Sequence, residues 1–398
     1  MSTQSPSNNG HKSSPPICHL CKNHPLISAP NYARLHRVTS DSQPFAPGGL
    51  IYLCPVCGTI QKHTDAHWRE EVQQVYDAYR IYAQTNGGDH AVFDARGQAG
   101  HRSEMLLHTF LQHTQTPDMG KLLDIGCGNG NLLARFSRAR PGWKLYGTEW
   151  NDRHRQTIEA IPGVEGFFSG DPSQAPGPFD LITLVYVLEH IPDPITFLRR
   201  LLLKLAPGGC LFVHVPDVER NPFDLVCIDH CTHFTTGSLG RVVEQGGFDT
   251  LHQTGTWVAR ELSVVAQRAA ASRPHLPPDP MPSRMLERQK HLLDGHVAWL
   301  TNIAHTFQQA KGNPLGLFGT SIAATWSFQE KGGSVDFFVD EDRHQFGRSH
   351  QGRPILSPTQ VPDGATLLMP FSPAKAQEII QRLARPRLRY IVPPEMEP

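Results

Sequence analysis

Two cysteines and two histidines fall within the nine residues CIDHCTHFT, Cys227 to Thr235. Side chains of these types bind metal ions, act as nucleophiles or carry protons. The stretch therefore has three readings. It is a metal site built from Cys227, His230, Cys231 and His233, a catalytic centre, or an ordinary loop. A further imidazole, His190, lies in LEHIPDP, residues 188–194. Far upstream, Cys18 and Cys21 form one CxxC pair and Cys54 and Cys57 another. Four thiolates from two such pairs suit tetrahedral zinc. Four protein ligands leave no position open for a substrate, so the expected ion is structural. It would hold together a segment too small to bury its own core. Two separate redox or chance pairs are the alternative.

A third group is the glycine-rich stretch KLLDIGCGNGNLLARF, residues 121–136. An apolar strand, Leu122 to Ile125, runs into Gly126, Gly128 and Gly130 and then into a helix pattern. Glycine lets the backbone turn sharply and approach a ligand closely, and a helix start offers free N–H groups. The next strand signal, KLYGTEW, carries Glu149 near its end. An acid there is placed to accept hydrogen bonds from both ribose hydroxyls of a nucleoside. A dinucleotide loop reads GxGxxG and seats a pyrophosphate. This loop reads GxGxG and is preceded by Asp124, which would repel a pyrophosphate and suits a cationic, amino-acid-bearing nucleoside.

These residues need elements to position them. Residues 119–270 alternate strand and helix signals, the pattern of a parallel sheet. Before them lie a zinc-binding segment, 18–65, and a stretch read as helical, 66–118. After them come a Pro-rich linker, 271–283, and a second strand–turn–helix–strand unit, 284–398, with a long helix at its start and further strands expected in LLMPF and RYIVP. The fold class expected is α/β: a small zinc segment, a central Rossmann-like core and a C-terminal Rossmann-like domain. The first 17 residues, rich in Ser, Asn and Pro, read as a disordered tail.

Bulk composition narrows the partners. Lys plus Arg number 37 and Asp plus Glu number 37, so there is no basic excess for neutralising nucleic-acid phosphates. No apolar run reaches the roughly 20 residues of a membrane helix, and the start lacks the apolar segment of a signal peptide. The expectations are a cytoplasmic protein with reduced thiols, acting on a small molecule without a nucleic-acid or membrane partner.

DIGCGNG resembles the first motif of the class I S-adenosylmethionine methyltransferases, and Glu149 matches that family's ribose-binding position. Asp171, in SGDP, sits where the family often meets the adenine amino group. FDLITLVYVLEHIPDP looks like the family's fourth strand and following turn, and LLLKLAPGGCLFVHVPD like its next helix, PGG turn and fifth strand. The resemblance implies S-adenosylmethionine bound by Asp124, Gly126, Gly128, Gly130, Glu149 and Asp171.

The whole chain resembles the zinc-containing sugar C-methyltransferases, which methylate a ring carbon of nucleotide-linked 4-keto deoxysugars. The likeness is carried by the three-part architecture, VYDAYRIY at 75–82 and GRPILSPTQVPDGATLLMPFSP at 352–373. It implies His230 as general base, His190 as proton relay or enolate stabiliser, and Asp229 as the group that orients one of them. It implies deoxysugar biosynthesis and a nucleotide-sugar substrate. Cys227 departs from the family, which has Tyr there, and the C-terminal domain lacks a Lys-Gly-Asn the family carries. Two other functions stay open: O- or N-methylation of a small metabolite or glycan, and a non-catalytic binding platform.

Overall fold

The structure is a computed structural model and describes residues 16–23, 25–79, 91–93, 99–270, 280–383 and 385–396. The tail before residue 16, most of the linker (271–279) and the end of the VYDAYRIY stretch (80–82) lie outside the described residues.

The central sheet has seven strands: β1 Lys121–Ile125, β2 Lys144–Glu149, β3 Val164–Ser169, β4 Phe179–Val185, β5 Leu205–Pro216, β6 Phe248–Thr254 and β7 Glu261–Arg268. Their spatial order is β3-β2-β1-β4-β5-β7-β6. Neighbours are parallel from β3 to β5, while β7 runs antiparallel to both β5 and β6. Runs such as LLDI in β1 and LSVVA in β7 are buried throughout, as expected of strands covered on both faces. From β1 the chain moves outward to β2 and β3, then crosses back to β4 beside β1. The turns leaving β1 and β4 therefore diverge and open a crevice at the carboxyl ends of the strands. The glycine loop, the LEHIPDP turn and the segment after β5 all leave the sheet at this edge.

The C-terminal part has a six-stranded sheet. Arg353–Leu356, Phe337–Val339, Leu315–Phe318, Thr366–Leu368 and Arg389–Ile391 are parallel, and Ser349–His350 adds an antiparallel edge. The helix Ser283–Gln309 leads into it. The two strands expected in LLMPF and RYIVP are present, shifted toward their N-terminal ends.

Two expectations need correction. Residues 66–118 are not helical throughout: the helices Ala66–Ala78 and Arg102–His113 flank a short antiparallel hairpin, Ala91–Phe93 with Ala99–His101. Gly100 weakens any helix there. The stretch CIDHCTHFT is not merely a loop after β5. Thr232–His233 pairs with Ile60–Lys62 and becomes the fourth strand of the N-terminal sheet, whose other strands are Ile51–Leu53 and Ile27–Ser28.

The N-terminal segment consequently has no core of its own. Tyr32, Ile51 and Leu53 share one apolar cluster with Phe223 and Leu225 of the segment after β5 and with Leu300, Phe307 and Trp326 of the C-terminal part. Cys18, Leu20, Cys54 and Cys57 pack in another with Leu239 and Val242 of the central domain.

Candidate active site

The nucleoside cradle follows from the turn after β1. Gly126, Gly128 and Gly130 all have positive φ, at 69°, 59° and 84°. A Cβ on Gly126 would meet Val187 Cγ2 at 2.5 Å, and one on Gly130 would meet Ile161 Cδ1 at 2.6 Å. Both conformation and space thus require glycine there. Glu149, at the end of β2, is turned toward the loop: its carboxylate accepts from the Gly128 N–H at 2.8 Å and the Trp150 N–H at 2.7 Å. Asp124 is buried beneath the loop and accepts from the Thr183 hydroxyl at 2.6 Å. Burial pushes its pKa up to about 7, so a cation above it would restore its ionised form. Asp171 is exposed and spends one oxygen on the Ser173 N–H at 2.8 Å, capping a short 3-10 turn. It follows the end of β3, where the Gly170 N–H donates to the Glu149 carbonyl at 2.8 Å.

The second cluster lies where the turns after β4 and β5 meet. The His190 and His230 rings are edge to face, with centroids 4.7 Å apart. His190 Nδ1 is 3.0 Å from the Asp229 carbonyl oxygen and 3.2 Å from the Tyr76 hydroxyl. A carbonyl only accepts, so Nδ1 carries the hydrogen and Nε2 the lone pair. Burial lowers the pKa of His190 to about 4, with the nearby His230 adding to the effect. His230 Nδ1 donates to Asp224 Oδ1 at 2.6 Å, and His233 Nδ1 donates to the other oxygen of the same carboxylate at 2.5 Å. Burial opposes a charge on His230, yet its pKa lies well above the usual value because Cys227 and Asp224 raise it. Burial pushes the Cys227 thiol itself to about 12. It is therefore neutral near pH 7, and the Asp224 carboxylate is the partner that keeps His230 protonated.

Asp229 is buried but reaches neither imidazole by a short carboxylate contact: its nearest approach is 3.5 Å to His190 Nδ1. Its oxygens take the Ser40 N–H at 2.9 Å and the Ser40 hydroxyl at 2.5 Å. The Tyr79 hydroxyl lies 3.2 Å from that of Ser40. Asp229 therefore orients His190 through its main-chain carbonyl and ties this loop to the N-terminal segment. Further ties come from the same side. The Lys62 ammonium donates to the Cys227 carbonyl, and the Lys62 N–H donates to the Cys231 carbonyl at 2.9 Å. The Trp68 indole donates to the Ile228 carbonyl at 3.0 Å.

The structure thus unites His190, His230 and Asp229 and adds Asp224, Glu189, Tyr76 and Ser40, which the sequence did not single out as site residues. The four-residue reading of Cys227, His230, Cys231 and His233 as a metal site fails on geometry. Among the described residues, these four side chains do not bring their ligand atoms within 4.8 Å of one another, and Cys231 packs in an apolar cluster with Trp68 and Val72.

The upstream cysteines do converge. The four Sγ atoms lie within 4.8 Å of one another, with Cys18–Cys57 and Cys21–Cys54 at 3.4 Å. Zinc–sulfur bonds of about 2.3 Å in a tetrahedron need sulfurs about 3.8 Å apart, so this donor set fits zinc. Cys18, Cys21, Cys54 and Cys57 would hold the ion closed to substrate.

Among the described residues, no helix is long and apolar enough to cross a membrane.

Comparison with known proteins concerns the central part. Residues 96–253 match the family model for a methyltransferase domain. A ubiquinone biosynthesis O-methyltransferase of Caulobacter sp. (strain K31) is 35% identical over 108 residues, 25% of this chain and 42% of that protein. A trans-aconitate 2-methyltransferase of Rhizobium meliloti (strain 1021) is 35% identical over 157 residues, 37% of this chain and 58% of that protein. Among solved structures, CalO1, a methyltransferase in calicheamicin biosynthesis in its SAH-bound form, superposes with a TM-score of 0.35 at 18% identity, covering 42% of this chain and 54% of that one. The chain spans about half the length of the curated relatives it matches. The glycine loop and the acid ending β2 lie inside the stretch that matches the family model, and residues 96–253 are a methyltransferase domain.

Proposed function

We propose that the chain transfers a methyl group from S-adenosylmethionine to a small molecule that is first deprotonated at the His190–His230 centre. The favoured substrate is a nucleotide-activated keto deoxysugar methylated on the carbon beside its ketone. The observation that carries this reading is the pair of imidazoles at the carboxyl edge of β4 and β5. Each has its Nδ1 engaged, one on a carbonyl and one on a carboxylate, and their surroundings push their pKa values in opposite directions. A carbon beside a ketone needs a base to remove its proton and a positive group to hold the enolate oxygen. Pairs of groups whose surroundings push their pKa values apart suit those two tasks. Neutral His190 would take the proton and cationic His230 would face the enolate oxygen, an exchange of the roles expected from the resemblance. Asp224 holds the charge on His230, and Asp229 with Tyr76 orients His190. When bound, S-adenosylmethionine supplies an electrophilic methyl on a sulfonium, with Glu149 toward its ribose and Asp124 toward its cationic end.

The test is hydrogen–deuterium exchange at the carbon beside the ketone of a nucleotide-linked 4-keto deoxysugar. Wild type should exchange this hydrogen even without a methyl donor. His190→Ala should lose exchange and slow methyl transfer by roughly 10²–10⁴-fold, with the affinity for S-adenosylhomocysteine unchanged. Exchange that persists in the variant would sink the base assignment.

O-methylation is the second reading, favoured by the ubiquinone O-methyltransferase relative. It predicts a product with the methyl on oxygen, as mass spectrometry would locate it. Both readings need the cradle. Glu149→Ala is expected to weaken S-adenosylhomocysteine binding by roughly 10- to 100-fold, from about 1.5–3 kcal/mol per charge-assisted hydrogen bond. Calorimetry checks it, and unchanged affinity would exclude Glu149 from the ribose.

A further inference from the structure

The geometry points to a second metal site: Glu189, His190 and His230 form a two-histidine, one-carboxylate set that binds a divalent cation with nitrogen and oxygen ligands. One ligand atom from each of the three side chains lies within 4.8 Å of the others. Among the described residues, both oxygens of Glu189 are buried without a hydrogen-bond partner, and the residue is 1% exposed. A buried carboxylate with neither partner nor cation is costly. It stands next in sequence to His190, with its main-chain carbonyl fixed by the Cys231 N–H at 2.8 Å.

The two imidazoles are arranged as metal-bound histidines are. Each gives its Nδ1–H to an oxygen acceptor, His190 to the Asp229 carbonyl and His230 to the Asp224 carboxylate. Such partners fix the ring: Nε2 of neutral His190 is a free ligand atom, and on His230 the ion takes the place of the Nε2 proton. Metal–ligand bonds of about 2.1 Å place donor atoms about 3.0–3.4 Å apart, so small side-chain rotations close the set. The carboxylates of Asp224 and Asp229 lie beside the pair, and the Lys62 ammonium is directed to the Cys227 carbonyl. An ion that displaces the His230 proton therefore takes over a positive charge that the Asp224 carboxylate already balances. His190 is the least buried of the three ligands and gives access. Two histidines and one carboxylate leave coordination positions open toward the pocket, and this donor set suits Zn²⁺, Fe²⁺ or Co²⁺.

Binding goes beyond the proposed function, but one consequence rests on it. An ion on Nε2 of His190 removes the lone pair that would accept the substrate proton, so an occupied site should slow methyl transfer.

The test uses full-length protein whose cysteine cluster is loaded with zinc, titrated with Co²⁺. Wild type should take up one further equivalent by equilibrium dialysis. Its spectrum should show weak d–d bands without sulfur-to-cobalt charge transfer, because no thiolate is a ligand. Glu189→Gln, close in shape, and His230→Ala should each lose that equivalent while keeping their circular dichroism and S-adenosylhomocysteine binding. Two results overturn the assignment: no second equivalent in wild type, or one that survives in both variants. The readout does not depend on turnover. If Co²⁺ binds as expected and the same protein shows no methyl transfer before Co²⁺ is added, the proposed function fails and the metal site stands.

Discussion

Cys57→Ser is expected to remove one zinc per chain and to abolish methyl transfer while sparing the cofactor cradle. Zinc binding is worth about 10–16 kcal/mol in small zinc-dependent folds. The N-terminal segment has no separate core to replace that contribution. Its apolar residues are shared with the central and C-terminal parts. Its sheet runs through Thr232–His233, and Ser40 and Lys62 hold the loop that carries His230. Loosening the cluster therefore loosens the loop that carries His230. The glycine turn and Glu149 hang from β1 and β2, so S-adenosylhomocysteine affinity should fall by less than about threefold. Metal analysis, methyl transfer and calorimetry on the same sample check the three parts. A zinc-free variant with wild-type turnover would remove the cluster from any role in positioning.

Asp224→Asn is the second large effect. The carboxylate is 3% exposed and receives both His230 and His233. An amide has one acceptor oxygen for two N–H donors, so one imidazole must flip its tautomer or lose its bond. Removing one partner of a buried charged cluster costs about 3–5 kcal/mol, and denaturant unfolding should show a loss of that order. Methyl transfer should fall further than folding explains. Loss of a preorganised group facing an oxyanion costs about 10²–10³ in rate. Measured at a temperature where the variant is fully folded, a rate within threefold of wild type would show that Asp224 serves packing alone.

Some of this site was legible in the chain because its grammar is local. Gly126, Gly128 and Gly130 must sit in one turn, since each needs a left-handed backbone there. Each CxxC pair needs only one tight turn to aim both sulfurs at one ion. The period of strand and helix signals was enough to expect two α/β units, since burial on both faces of a parallel sheet leaves unbroken apolar runs.

The histidine centre depended on contacts that no local pattern encodes. Asp224 lies six residues before His230, in the short helical turn Pro222–Val226, and only that fold-back puts one carboxylate between two imidazoles. Glu189 read as the residue beside a candidate histidine. Its missing hydrogen-bond partners exist only as a property of the packed interior. Asp229 was expected to orient one of the histidines, and it meets His190 through its carbonyl because Ser40 claims its side chain. Residues 232–233 carry no strand signal of their own, and they become a strand because Ile60–Lys62 presents an edge to pair with. The sequence by itself therefore determined the glycine turn after β1, the two converging cysteine pairs and the α/β class, all of which rest on spacings of a few residues. Which histidine holds a proton, and which carboxylate serves it, was decided by the tertiary structure, because protonation follows burial and charges brought together from distant parts of the chain.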